Sequence, residues 1–251
     1  MRLLSKRAIV TGAAAGLGQA IVRTLAREGA SVGCLDLDGA GASAVADALG
    51  VGGTTAFAVT ADVASTAAMR EAIDRCLVEL GGLDILVNAA GIAPPPSKVV
   101  NAAGADIERT LAVNVRGVAN ACAAAASALA ANGGVIVNVA SIAALRPRPG
   151  MGWYAASKAA VLSLTQTLAL ELAPQHIRVN AIAPAASHTA MLEGLLGGVT
   201  PAKLDALRAT IPLGRLATPQ DVAEAVAFLA SDAAAFLTGV VLPIDGGRAI
   251  A

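Results

Sequence analysis

Aromatic residues are nearly missing from this sequence: one tryptophan, one tyrosine and three phenylalanines make up 2% of its 251 residues. A core built from it cannot rest on bulky rings, so alanine-rich helices must pack closely instead. Histidine and cysteine are equally scarce. Two histidines and three cysteines, with no H-E-x-x-H and no C-x-x-C, leave no ligand set for a metal ion. Cys34, Cys76 and Cys122 fall on one expected strand and two expected helices, where they read as small buried hydrophobes of a reducing compartment. Excess charge is missing too. The 18 basic and 18 acidic residues balance, and no basic run offers a face for nucleic acid. The first ten residues are charged and lead straight into an apolar strand, unlike a secretory signal, so a cytoplasmic location is expected.

Residues 117–145 carry no charge at all and could be mistaken for a membrane span. Asn120, Asn132, Gly133, Gly134 and Asn138 interrupt them, and the first half is mostly alanine. A packed helix ending near Asn132, followed by a central strand Val135–Val139, accounts for the stretch without a membrane.

What the chain does have is apolar material in a regular order. Hydrophobic residues make up 56% and the mean hydropathy is +0.67, enough to bury a sheet on both faces. Strand-like runs near 7–11, 31–36, 54–59, 84–87, 135–139, 177–182 and 239–244 alternate with helical stretches. That alternation predicts an α/β fold over residues 1–251, a single-domain doubly wound parallel sheet with helices on both faces. Two of the helices, 105–131 and 153–172, carry more apolar surface than one sheet face can cover, which predicts an interface between copies of the chain. Residues 186–217, with short amphipathic pieces and glycines between Pro184 and Pro219, suit a lid that closes over a ligand.

Three features carry chemistry. Thr11-Gly12-Ala13-Ala14-Ala15-Gly16-Leu17-Gly18 joins the first strand to a helix, and its glycines let an anion approach the helix N-terminus. The spacing G-x3-G-x-G differs from the G-x-G-x-x-G fingerprint, and no Gly-Lys-Ser/Thr follows, so no phosphate-binding P-loop is expected. Asp36 ends the second strand, where a carboxylate can hold the ribose hydroxyls of an adenine dinucleotide. Tyr154 and Lys158 stand four apart on one helix, side by side. A cation beside a phenol favours the phenolate, so the pair can pass a proton to or from an alcohol or ketone oxygen. Ser141 upstream supplies a hydroxyl to orient that oxygen.

With these pieces in place the chain resembles the short-chain dehydrogenase/reductase family over nearly its whole length. Gly12, Gly16, Leu17 and Gly18 match the family's cofactor turn, and Asp36 and Leu37 the adenosine end. Asp62-Val63 resembles its adenine contact, and Asn88-Ala89-Ala90-Gly91 its segment after the fourth strand. Asn114, Ser141, Tyr154 and Lys158 line up with its catalytic tetrad. Pro184 to Thr189 is similar to its P-G-x-x-x-T stretch near the nicotinamide carboxamide, and Asp245-Gly246-Gly247 to its C-terminal D-G-G. Two departures stand out: Ala185 and Ser187 replace the usual glycine and aliphatic residue, while Thr189 is kept. His176 takes a turn position commonly held by glycine and reads as a left-handed cap.

The resemblance implies about seven strands, NAD as cofactor, a homotetramer and substrate entry over the carboxyl ends of the strands. It implies Tyr154 as general acid or base, Lys158 lowering the pKa of Tyr154 and bonding the nicotinamide ribose, and Asn114 holding a water that relays protons from Lys158. Ser141 would fix the substrate oxygen. By family position the pocket is ringed by residues 93–96, Ile142, Ala143, Met151, Trp153, His188, Met191 and Leu192. That set favours a compact, mostly uncharged secondary alcohol or ketone. Arg146 and Arg148, between prolines in a loop, read as solvated or subunit-contact residues, with contact to an acidic substrate as the alternative, and His188 is a second candidate polar contact. The alternatives are a 3-oxoacyl thioester reductase and a non-catalytic dinucleotide-binding regulator.

Overall fold

The computed structural model describes residues 1–49, 55–187 and 189–251. Seven parallel strands form its sheet: β1 (Arg7–Thr11), β2 (Ser31–Asp36), β3 (Ala56–Thr60), β4 (Ile85–Asn88), β5 (Val135–Val139), β6 (Arg178–Pro184) and β7 (Val241–Ile244), in the order β3-β2-β1-β4-β5-β6-β7. Each strand run expected from sequence is found within a few residues, although residue 54 lies outside the described residues. The chain reverses its direction of winding between β1 and β4, which opens a crevice at their carboxyl ends.

Alternate strand residues feed two separate cores, as a period of two requires. Ala8, Val10, Cys34 and Val137 face α1 (Gly16–Arg27), α2 (Gly39–Asp47) and α9 (Pro219–Ala230). Ile9, Leu35, Leu86 and Ile136 face the other way, onto α3 (Thr66–Leu80), α5 (Gly117–Ala130) and α6 (Gly152–Leu172). The largest fully buried side chains are leucine, isoleucine and methionine. Cys34, Cys76 and Cys122 are buried in β2, α3 and α5 as expected, and burial pushes each thiol up to about 12. No helix among the described residues is long and apolar enough to cross a membrane.

One expected helix is not continuous. Residues 105–131 divide into α4 (Gly104–Leu111), a π-helical turn (Ala112–Arg116) and α5. The extra residue in that turn swings Asn114 inward, where its side chain is fully buried. Its carboxamide accepts from the Ile92 amide at 2.8 Å and donates to the Ile92 carbonyl at 2.9 Å and to Ser157 Oγ at 3.0 Å. The hydrogen bonds gained offset the interrupted helix ladder and tie α6 to the loop after β4.

Residues 186–217 form two short helices, α7 (Ala190–Leu196) and α8 (Pro201–Arg208), with a core of their own made from Leu192, Leu207, Ile211 and Leu216. Lys203 closes the end of α7 by donating to the carbonyls of Leu196, Gly197 and Gly198. His176 has φ 59°, the left-handed cap its position suggested.

Candidate active site

The β1–α1 turn is built around absent side chains. Gly12 has φ +71°, and a Cβ there would come within 2.7 Å of the Ala90 backbone. A Cβ on Gly18 would run into the Gly12 carbonyl oxygen. The turn is pinned to its neighbours: Ala13 N–H donates to the Leu35 carbonyl, and Thr11 Oγ1 accepts from the amides of Ala89 and Ala90, each at 3.2 Å. Ala15, which precedes α1, offers no side-chain cap, and the first turn holds no acidic residue. Free amides and the helix dipole are therefore left for an anion such as a pyrophosphate.

Asp36 closes this cradle. Its carboxylate accepts from Ala14 N–H and Asp38 N–H, both at 2.9 Å, which holds it beside the turn at the end of β2. The next residues, Leu37 and Asp38, bring no positive charge. Leu37 is exposed at the adenosine end, Val63 is buried, and Asp62 bonds the Ala64 amide just past β3. At the far end Thr189 stands over Gly16, with its Cγ2 3.3 Å from where a Cβ on that glycine would sit. Its side chain makes no cap bond to α7. Ser187 is buried and tied to Ala217 across the base of residues 186–217, and Ala185 bonds Ile244 as a continuation of β6. These features fit an elongated dinucleotide, and NAD(H) bound there would supply or accept the hydride.

Asn88 departs from expectation. Its carboxamide is turned into the core, where Nδ2 donates to Asn138 Oδ1 at 2.8 Å, and Asn138 in turn donates to Thr165 Oγ1 at 2.9 Å. It sits level with Asn138 on the adjacent strand, so the shortest bond runs within the sheet. Ala89 and Gly91, by contrast, line the cleft together with Leu17 and Pro184.

The proton-transfer groups meet at the ends of β5 and α6. Ser141 follows β5 and accepts from Ala143 N–H at 3.1 Å, which occupies a lone pair of the hydroxyl and leaves its hydrogen free to donate. Lys158 is buried, and its ammonium donates to the Val139 carbonyl at 2.9 Å. A Cβ on Gly91 would lie 3.2 Å from that nitrogen and 3.3 Å from Asn114 Oδ1, so the two groups share a wall of the site. Burial lowers the Lys158 pKa from 10.5 to about 8. Burial raises that of Tyr154, and the neighbouring Ser141 hydroxyl works against the rise. The structure thus departs from the depressed phenol expected from the helix spacing: burial raises the Tyr154 pKa, and the Lys158 ammonium is drawn toward the end of β5.

Ser141, Ala143, Met151, Tyr154 and Met191 line one cleft. Trp153 does not. It lies in an adjoining recess with Pro94, Pro95 and Pro96, and its indole Nε1 is buried without a partner. His188 lies outside the described residues. Sequence reasoning missed Leu195, Leu207 and Arg248, which enter the cleft from α7, α8 and the C-terminal turn. Arg248 follows the D-G-G motif directly, yet nothing in its sequence neighbourhood points toward residue 154.

A family profile described as enoyl-(acyl carrier protein) reductase matches residues 12–249. The chain is 43% identical to 4-formylbenzenesulfonate dehydrogenase of Comamonas testosteroni, covering 100% of both chains. It is 42% identical to cis-4-hydroxycyclohexanecarboxylate dehydrogenase of Sinomonas cyclohexanicum, over 96% of this chain and 95% of that one. A crystal structure of 3-ketoacyl-(acyl-carrier-protein) reductase from Brucella melitensis complexed with NADH superimposes with a TM-score of 0.92 at 41% identity, covering 99% of this chain and 100% of that one. The chain belongs to the short-chain dehydrogenase/reductase family.

Two outcomes test the site. Asp36 would repel a 2′-phosphate, so kcat/KM with NAD(H) should far exceed that with NADP(H), and Asp36→Ala should narrow the ratio by about tenfold or more. Comparable values in the wild type would remove Asp36 from the cofactor site. Lys158 generates a pH effect on stability. Between about pH 8 and 10.5 the unfolded chain binds a proton that the folded one has lost. In the absence of cofactor, stability relative to Lys158→Met should therefore rise across that window, the burial penalty being fully present below it. Urea unfolding at pH 7.5 and 10 measures this, and a difference that stays flat would mean the ammonium is solvated.

Proposed function

We propose that this chain is a dehydrogenase/reductase that exchanges hydride between NAD(H) and a compact secondary alcohol or ketone. The observation that carries the reading is the convergence of Ser141, Tyr154 and Lys158 in one cleft beside the Gly12–Gly18 cradle. In ketone reduction Tyr154 gives its phenolic proton to the substrate oxygen, and in alcohol oxidation it takes that proton back. Ser141, whose oxygen is already bonded to Ala143, donates to the same oxygen and fixes its position. Lys158 retains N–H groups beyond the one on Val139 and serves the ribose and the phenol when the cofactor brings them together. Asn114 acts from behind: its side chain bonds Ile92 and Ser157 and forms the wall next to Lys158, and the second lone pair of Oδ1 can accept from a water that relays protons from Lys158.

Residues 186–217 serve as a lid, their small core being separate from both sheet cores. We place the protein in the cytoplasm, a reading supported by three buried, unpaired cysteines. It acts as a homotetramer in this reading. The exposed positions of α5 include Ala119, Ala123 and Ser127, and those of α6 include Ala156, Ala159 and Ser163, small uncharged faces against which copies can pack. A 3-oxoacyl thioester reductase would use the same tetrad and is separated by whether an acetoacetyl thioester consumes NADH.

Tyr154→Phe keeps the ring and removes the proton. Absorbance of NADH with a panel of secondary alcohols should show kcat reduced about 10² to 10⁴-fold, with NADH binding retained. Wild-type kcat in this variant would assign proton transfer to another group. Sedimentation at micromolar concentration should give a tetramer, and a monomer would reject the oligomer.

A further inference from the structure

Three arginines reach the same cleft as Tyr154 from two separate segments. Arg146 and Arg148 stand in the loop after β5, and Arg248 in the C-terminal turn. None of them belongs to an ion pair among the described residues. Asp245, the carboxylate that favours the charge on Arg248, spends its oxygens on the amides of Gly247 and Ala249. The protein acceptors these guanidiniums do find are poor or few. Arg148 Nε meets the Met151 sulfur, its Nη2 reaches the Leu195 carbonyl only at 3.5 Å, and Arg146 Nη1 takes the Arg248 carbonyl at 2.5 Å. Most of their N–H donors therefore stay open.

This arrangement costs the fold something. Burial, and then Arg148 and Arg146, depress the pKa of Arg248, and burial depresses that of Arg148. Arg148 and Arg248 are half-buried, and like charges held together with Asp245 as a nearby carboxylate but with no ion pair are unfavourable unless a ligand supplies further negative charge. Ile142, Ala143, Met191, Leu192 and Leu207 line the same cleft, and Ser187 and Thr189 are its other hydroxyl-bearing residues besides Ser141 and Tyr154. Two relatives are named for substrates that carry a sulfonate and a carboxylate on a ring.

We propose that Arg146, Arg148 and Arg248 form an anion subsite that selects alcohols or carbonyl compounds bearing a carboxylate or sulfonate at the end remote from the reacting carbon. The proposal rests on the dehydrogenase reading above and narrows it, replacing solvated arginines with specificity-determining ones. Planar guanidiniums pair with either oxyanion through two parallel N–H bonds, while the apolar stretch accommodates the carbon skeleton.

The test compares matched substrates with NAD: cis-4-hydroxycyclohexanecarboxylate against cyclohexanol, and 1-(4-sulfophenyl)ethanol against 1-phenylethanol. Wild-type kcat/KM should favour the anionic member of at least one pair on the order of 100-fold, expressed mainly in KM and shrinking as NaCl is raised. The ratio should collapse toward one in Arg148→Gln/Arg248→Gln and recover in part in Arg148→Lys/Arg248→Lys, which returns the charge without the fork. Melting temperature and NADH titration report whether each variant is folded. Benzoate should compete with substrate in the wild type where benzamide does not. Equal rates on neutral and anionic members in the wild type, or a preference that survives in the glutamine variant, would overturn the subsite and leave the dehydrogenase reading standing. Absence of turnover on every member, with NADH still bound, would instead overturn the dehydrogenase reading.

Discussion

The buried ammonium of Lys158 is the constraint around which the rest of the site is arranged. A charged group inside a protein is tolerable only with hydrogen-bond partners, and the Val139 carbonyl at the end of β5 is the one provided here. Together with Thr165, which accepts from Asn138, and with buried Val161 and Ala169, that bond sets the rotation of α6 against the sheet. One helical turn earlier, Tyr154 is then carried to Ser141, which follows the same strand. Room for the ammonium comes from Gly91, and the wall behind it from Asn114, which the π-helical turn brings inward. A regular helix through residues 105–131 would present a different residue at that point.

Scarcity of aromatic side chains shapes the remainder of the fold. With leucine, isoleucine, valine and alanine filling both cores, stability rests on many close contacts rather than a few large ones. Close contact between backbones follows naturally, as at Gly12 and Ala90, where no side chain could intervene. Thr11 extends the same economy by accepting from two amides of the neighbouring strand end. The uncapped N-terminus of α1 beside the crevice between β1 and β4 leaves main-chain donors that suit a phosphate-bearing ligand.

The cleft has two chemically different ends. Around Ser141, Tyr154 and Lys158 the groups are buried, and Ala143 and Val139 hold Ser141 and Lys158 in place while leaving them donors for a ligand. Around Arg148 and Arg248 positive charge is held with donors in reserve. α7 and α8 line the same cleft and have a small core of their own, with a bridge between Ser187 and Ala217.

Strand runs, the glycine turn, Asp36 and the order of the tetrad were all legible in the sequence, because each depends on residues that are neighbours along the chain. A period of two marks a buried strand, and a spacing of four marks a helix face, whatever else the protein does. The resemblance to a known family rested on the same local signals. Tertiary structure alone decided where side chains with several choices would turn. Asn88 faces Asn138 because the strands align them, not the cofactor cleft. Trp153 entered a proline-lined recess beside the pocket, and the helix through Asn114 opened into a wider turn to reach Ile92. Arg248 met Arg146 across 102 positions of sequence. Such contacts are set by the packing of whole elements against one another, and no periodicity within a single element encodes them.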